Sequence, residues 1–99
     1  MKEKSLLQIL GQSHSIEILK SLSQRQMRFV DLKEICSSSR TRAARLKELQ
    51  DKGLIKVVPK ILGKRAYTFY EITPRGKEAL KLGEKLILLE SLGQEKTPK

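Results

Sequence analysis

The sequence is poor in the residue types that most enzymes and metal sites need. Its 99 residues include one cysteine, one histidine and no tryptophan. One cysteine cannot form an internal disulfide, and no paired cysteines have the spacing of a metal site. The single histidine, His14, is far along the chain from Cys36, and no glycine-rich phosphate loop is present. We therefore predict no catalytic residue, no metal and no cofactor, and we expect that the protein is not an enzyme.

Long apolar runs are also missing. No segment reaches transmembrane length, and residues 1–10 lack the apolar stretch of a signal peptide. We therefore expect a cytoplasmic, nucleoid-associated protein. Aromatic residues number four, two Tyr and two Phe, so Leu, Ile, Val and Ala must fill the interior. The length predicts a single domain over residues 1–93 with a small core, followed by a flexible tail at 94–99.

Positive charge, in contrast, is abundant and concentrated. The formal net charge is +10, and residues 37–70 contain nine Lys and Arg against two acidic residues. Such a local excess favours a polyanionic partner, because a surface that is merely solvated has no reason to concentrate charge. RNA is the less favoured polyanion, since the basic segments 40–52 and 59–66 lack stacking aromatics. Membrane-surface binding is disfavoured because the most apolar segment is almost neutral.

Apolar periodicity and capping residues predict a mostly helical chain with a small β-hairpin. Helices are expected at 5–10, at 14–22 with Ser13 as the cap, at 30–36, at 40–52 and at 74–92. A serine of 37–39 should cap helix 40–52 and Gly53 should end it, while Thr73 should cap the last helix and Gly93 end it. Strands are expected at 54–58 and 66–72, with a basic hairpin tip at 59–65 between them. In the helix at 40–52, we expect Ala43, Leu46 and Leu49 to face the core.

Several segments resemble a known family of proteins. They are Arg-Phe-Val-Asp-Leu at 28–32, Ser-Ser-Arg-Thr-Arg-Ala-Ala-Arg-Leu-Lys-Glu-Leu at 38–49, Lys-Gly-Leu-Ile at 52–55 and Tyr-Glu-Ile-Thr-Pro-Arg-Gly at 70–76. Together they resemble the small winged helix-turn-helix transcriptional regulators of archaea and bacteria, of the MarR and HxlR types. The resemblance spans about residues 14–80. It implies a winged helix-turn-helix fold, sequence-specific binding to double-stranded DNA and a role in regulating transcription.

A helix fits the major groove of DNA, and its first turns approach the base edges. We therefore predict that helix 40–52 is the recognition helix, with the wing at 59–66 on the backbone or in the minor groove. The predicted DNA-binding residues are Ser38, Ser39, Arg40, Thr41, Arg42, Ala44, Arg45, Lys60, Lys64 and Arg65. Arg42 departs from the family pattern, which has an apolar residue there. Either its stem covers the core while its head reaches a phosphate, or the helix is rotated.

The last helix carries more apolar residues than one small core needs. Ala79, Leu82, Leu86 and Leu89 follow a heptad spacing. We predict a homodimer whose interface contains Leu82, Leu86, Leu89 and Leu92, which would place two recognition helices in major grooves about 34 Å apart. The alternative is a helix that folds back onto its own core.

Two other functions share the same basic surface. A nonspecific architectural protein of chromatin would bind DNA without sequence preference, which the Arg-Thr-Arg at 40–42 mildly disfavours. A winged-helix module for protein–protein assembly would not need the concentrated charge. Cys36 is interpreted as a core residue, with a redox-sensing thiol as the less favoured alternative. His14 is interpreted as a surface or capping residue.

Overall fold

Helices and a small sheet alternate through residues 4–95, the part of the chain that the computed structural model describes, with side chains described to residue 92. The elements are α1 (Leu6–Leu10), α2 (Ser15–Gln24), β1 (Met27–Arg28), a 3-10 helix (Val30–Glu34), α3 (Ser39–Asp51), β2 (Ile55–Leu62), β3 (Arg65–Ile72) and α4 (Pro74–Glu95). The predicted fold class is confirmed. None of the helices in this part of the chain is both long and apolar enough to cross a bilayer.

The two N-terminal helices are separated by a tight turn. Ser5 caps α1 with a reciprocal pair of bonds, because its Oγ accepts from the Gln8 N–H while its own N–H donates to Gln8 Oε1. The prediction that Ser13 caps α2 is wrong. His14 occupies that position with a left-handed φ of 71° and no side-chain capping bond. α2 then buries one apolar face, which includes Ile18 and Leu19.

The three strands form an antiparallel sheet in the order β1-β3-β2. The hairpin is longer than predicted, because β2 continues to Leu62 and pairs with β3 from Ile55↔Ile72 out to Leu62↔Arg65. Only the two residues 63–64 remain as the loop, and Gly63 supplies the positive φ of 66° that it requires. Pro59 lies within β2, which is possible because β2 is an edge strand and one of its sides forms no ladder.

The core lies where the helices meet the base of the sheet. Its fully buried apolar side chains are Ile18, Leu19, Leu32, Leu49, Leu54 and Ile55. Burial falls away along the hairpin, so that the outer half of β2 is largely exposed. The hairpin therefore projects from the core and is anchored at its base, where β1 adds a third strand.

Thr73 joins the end of α3 to the start of α4. Its Oγ1 donates to the Gly53 carbonyl at 2.7 Å and accepts from the Gly76 N–H at 3.0 Å, which confirms the predicted cap of α4. Gly53 has the expected left-handed φ of 75° beyond α3. Gly76 packs so closely that a Cβ on it would lie 2.0 Å from the Leu54 carbonyl oxygen. The two helices are therefore held together at this junction.

α4 continues past the predicted stop. It runs to Glu95, so Gly93 does not end it, because one glycine within a helix costs only about 1 kcal/mol. Its first turns bury Ala79 and Leu80 in the core. The predicted tail lies outside the described residues from position 96 onward.

Candidate nucleic-acid interface

The N-terminus of α3 is capped by a serine. Ser38 has extended backbone angles, and its Oγ accepts from the Thr41 N–H at 3.2 Å. Ser39 and Arg40 follow, both exposed, in the first turn. The first amides of a helix have no partner within it and carry the positive end of the helix dipole. This end of α3 therefore offers donors and positive charge to an anion.

Arg42 points into the protein and not towards solvent. It is 5% exposed, and its Nη1 donates to the Cys36 carbonyl at 2.7 Å and more weakly to the Ser37 carbonyl at 3.4 Å. The predicted contact between Arg42 and DNA is not available to this buried guanidinium. Of the two alternatives for this residue, the structure has the rotated helix, in which Nη1 bonds to these carbonyls while the buried Nε has no hydrogen-bond partner among the described residues.

The rotation changes which side chains of α3 face outward. Ala43, predicted to face the core, is exposed, while Leu46 and Leu49 are buried as predicted. The exposed stripe of α3 consists of Arg40, Ala43, Ala44 and Lys47. The sequence prediction missed Ala43 and Lys47. Arg42, Leu46 and Leu49 are spaced by four and three residues, which is the spacing of one buried helix face. Because one member of this set is an arginine, the apolar pattern alone does not identify the face.

Arg45 is bound within the protein. Its side chain is 16% exposed, its Nε donates to the Ser13 carbonyl at 2.9 Å, and its Nη1 lies 3.5 Å from Glu48. Glu48 also pairs with Lys4 at 2.7 Å. These contacts tie α3 to the turn between α1 and α2. Arg45 therefore helps to position α3. Thr41 is half-buried, so it is less accessible to a bound partner than the exposed Arg40.

The cations of the hairpin divide into two groups. Lys64 and Arg65 are exposed at the tip. Lys60 lies further back and half-buried, with its Nζ 4.7 Å from the centroid of the Phe69 ring. The structure therefore brings two of the three predicted wing cations to the tip and places the third along the strand.

Two carboxylates hold the base of the hairpin. The backbone N–H of Arg28 donates to Asp31 at 3.0 Å and the guanidinium adds an ion pair at 3.3 Å, so these bonds lower the pKa of Asp31. The Gln26 amide donates to Glu71 and Lys56 lies 3.5 Å from it, which lowers the pKa of Glu71. Asp31 thus joins the 3-10 helix to β1, and Glu71 joins β3 to β2 and to the residue before β1.

The remaining candidate residues have structural positions. Cys36 is buried, as predicted for a core residue, and its Sγ lies 3.8 Å from the Ser38 carbonyl. His14 is half-buried at the start of α2. No cluster of three or more His, Cys, Asp or Glu side chains suitable for a metal was found in the part of the chain that the structure describes.

The short 3-10 helix, the turn and α3 form a helix-turn-helix, and the hairpin that follows α3 is its wing. The protein is thus a winged helix-turn-helix protein, with a long α4 added at its C-terminal side. Its family is defined by the sequence: the model of the HxlR-like helix-turn-helix family matches residues 9–99, and the chain belongs to that family.

Solved structures show the same fold at low sequence identity. A transcriptional regulator of the MarR family from Enterococcus faecalis V583 is 20% identical with a TM-score of 0.77, over 92% of this chain and 84% of that one. The transcriptional regulator BldR from Sulfolobus solfataricus is 21% identical with a TM-score of 0.73, over 87% of this chain and 62% of that one. The transcriptional repressor BigR from Xylella fastidiosa is 20% identical with a TM-score of 0.65, over 94% and 86% of the two chains. A comparison with curated proteins gives no match.

Proposed function

We propose that this chain is a regulator of transcription that binds specific sequences of double-stranded DNA. In this proposal α3 lies in the major groove and the β2–β3 hairpin, here called the wing, lies on the backbone or in the minor groove. The observation that carries the proposal is the exposed stripe of Arg40, Ala43, Ala44 and Lys47 on a helix whose opposite face is fixed in the core. Membership of a helix-turn-helix family and the regulators with the same fold support it.

The exposed stripe has the chemistry of a base-reading surface. Arg40 lies in the first turn, where a guanidinium reaches the major-groove edge of guanine and donates two hydrogen bonds. Ala43 and Ala44 are small enough to let the helix approach the bases, and their methyl groups suit the thymine methyl. Lys47 lies one turn further along and suits a phosphate. Arg42 and Arg45 hold α3 from the other side, so the stripe is presented on a rigid helix.

The C-terminal part of α4 supports a homodimer. Leu82, Leu86, Leu89 and Leu92 are 48% to 62% exposed, so α4 does not fold back to bury them. A surface of this kind on one helix face is costly to leave in water, and a second copy of the same helix covers it with matching apolar residues. Leu7 of α1, also exposed, extends the same apolar surface along a groove that Leu10, Ile16 and Leu86 line. Two-fold symmetry then presents two α3 helices to successive major grooves.

The test is a titration of a labelled DNA duplex by fluorescence anisotropy at several salt concentrations. Each phosphate contact contributes about −0.9 to the slope of log affinity against log salt. The paired variants Arg40→Ala/Lys47→Ala and Lys64→Ala/Arg65→Ala should each weaken binding and make the slope shallower, by up to about 2 where both cations meet phosphates. The control Lys81→Ala/Lys85→Ala removes the same charge from exposed positions on α4 and should leave the slope unchanged.

DNA-binding experiments with the same protein also distinguish the proposed function from the two alternatives, an architectural protein and an assembly module. A specific regulator enriches a pseudo-palindromic sequence from a random pool of duplexes, whereas an architectural protein binds the pool without enrichment. An assembly module shows no binding even at low salt. Equal loss of affinity in all three paired variants would show that net charge alone, and not α3 with the wing, determines binding.

A further inference from the structure

The tip of the wing is apolar as well as basic. β2 ends in Ile61 and Leu62, which are 77% and 55% exposed, the former the most exposed large apolar side chain found in residues 4–92. They flank the two-residue loop, where a Cβ on Gly63 would meet nothing within 4 Å. The tip therefore stands free of the rest of the protein, and within the described chain nothing packs over it.

The position of the two side chains gives the tip its shape. Ile61 pairs with Ala66 and Leu62 pairs with Arg65 across the hairpin. Since successive side chains of a strand point to opposite faces, Ile61 and Leu62 cover the two faces of the same narrow end. The tip is thus a small wedge that is apolar on both sides.

Charge around the wedge identifies the surface that it fits. Lys64 and Arg65 are exposed directly beside it, and residues 54–70 contain no acidic residue at all. An apolar protein surface or a second copy of this basic tip would not complement these cations. Two side chains also cover far less area than a stable protein interface of about 1,000 Å² requires. Double-stranded DNA complements both the cations and the apolar side chains of the tip. Its minor groove has phosphates on each wall and apolar sugar and base surfaces within it.

We propose that Ile61 and Leu62 insert into the minor groove of the bound DNA and partly unstack a base step there, so that the wing bends the duplex. Lys64 and Arg65 hold the phosphates on either side. The minor groove is about 6 Å wide, too narrow for the whole hairpin but open to single side chains at its tip. This inference rests on the proposed function, since it concerns the same DNA complex. It adds a second source of specificity, because flexible steps such as TA unstack most readily.

The experiment uses a short duplex enriched from a random pool by the wild-type protein. The duplex carries an energy-transfer pair at its ends, to report bending, and 2-aminopurine at successive positions, to report unstacking. The central variant is Ile61→Thr/Leu62→Thr, which keeps strand propensity and removes the apolar wedge. Val57→Thr is the matched control, because Val57 is an exposed β-branched residue of the same strand away from the tip. Ile61→Met/Leu62→Met restores apolar character with a different shape.

With wild type we expect increased energy transfer and a bright 2-aminopurine position. The threonine pair should lose both signals and bind about tenfold more weakly, with an unchanged salt slope because every cation is still present. The control and the methionine pair should bind and bend like wild type. Thermal unfolding of all variants checks that each is folded.

Two results overturn the proposal in distinguishable ways. If the threonine pair binds and bends DNA like wild type, the wedge is wrong while the proposed function stands. A change in self-association in that variant would then assign the tip to a second copy of the chain. If wild type shows no salt-dependent binding to any duplex, the proposed function fails and the wedge fails with it.

Discussion

The guanidinium carbon of Arg42 lies 4.3 Å from the centroid of the Phe29 ring. Phe29 directly precedes the 3-10 helix and Arg42 lies in the second turn of α3, so this contact joins the two helices of the helix-turn-helix. The cation over the ring face and the bond to the Cys36 carbonyl act on the same side chain. Arg42 therefore links α3 to the start of the 3-10 helix and to the turn between them.

Replacing Arg42 with alanine should destabilise the fold rather than affect DNA contacts alone. The change leaves the Cys36 carbonyl without its buried donor and removes the contact with Phe29, for which we expect a loss of about 2–4 kcal/mol in the free energy of unfolding. Arg40→Ala, two residues away and exposed, should change stability by less than about 0.5 kcal/mol and weaken DNA binding. Urea unfolding measures the free energy of unfolding of both variants. Equal stability of the two variants would show that Arg42 is not a structural residue.

Gly76 and Gly83 should respond differently to alanine, although both lie in α4. In an exposed helix this change stabilises by about 1 kcal/mol. At Gly76 the new Cβ would lie 2.0 Å from the Leu54 carbonyl oxygen, a backbone atom that cannot move alone, whereas at Gly83 it would lie 2.9 Å from the flexible end of Ile16. We expect Gly76→Ala to cost at least about 2 kcal/mol and Gly83→Ala clearly less. Thermal unfolding compares them, and a gain in stability at Gly76 would contradict the close packing of α4 on Leu54, in the segment that follows α3.

The base of the wing should weaken in acid. Unfolded Asp and Glu have pKa values of about 4, and the contacts of Asp31 and Glu71 lower the pKa of both in the folded protein. A lowered pKa contributes stability that is present above the unfolded pKa and is lost as the pH falls through the folded one. Stability should therefore decrease below about pH 4.

The measurement is the midpoint of thermal unfolding from neutral pH to well below pH 4. Asp31→Asn and Glu71→Gln should each lower the midpoint at neutral pH and make its fall in acid shallower, since the titrating group is gone. Glu90→Gln, an exposed carboxyl on α4, is the charge-matched control. Curves for Asp31→Asn and wild type that run parallel through the acid range would exclude Asp31 as a source of the pH dependence.

Charges introduced on the exposed face of α4 should separate the proposed dimer. Leu86→Glu/Leu89→Glu places two carboxylates on each copy in an apolar interface, and we expect dimer dissociation to be favoured at least about a hundredfold. Sedimentation analysis measures this. Ile61→Glu is the control, because it adds a charge at an exposed apolar position on the wing, away from α4. A Leu86→Glu/Leu89→Glu protein that sediments like wild type would remove α4 from the interface.

Local chemistry made much of this fold predictable from the sequence. Ser38 and Thr73 cap their helices, and Gly53 ends α3, for reasons contained within a few residues. These signals fix the order of the elements and place α3 and the wing. The exposed leucines of α4 likewise follow from a spacing that is visible in the sequence.

What the sequence did not predict depends on distant contacts. The burial of Arg42 depends on acceptors on the preceding turn and on Phe29, so the apolar residues of α3 alone do not show that Arg42 is buried and Ala43 exposed. The extent of β2 depends on its place at the edge of the sheet, which makes Pro59 acceptable. The inward role of Arg45 depends on a carbonyl 32 residues away. Each of these required the tertiary structure.

The bonds of Thr73 give α4 a mechanical property. This one residue bonds to the end of α3 and to the first turn of α4, so it restrains the two helices relative to each other. The 22 residues of α4 form a lever arm of about 33 Å at ~1.5 Å per residue, so a rotation of about ten degrees at Thr73 moves its far end by about 6 Å. The same relation converts a displacement of the far end of α4 into a rotation at Thr73. If dimer formation displaces the far end of α4 by about 6 Å, the corresponding rotation at Thr73, beside the end of α3, is about ten degrees.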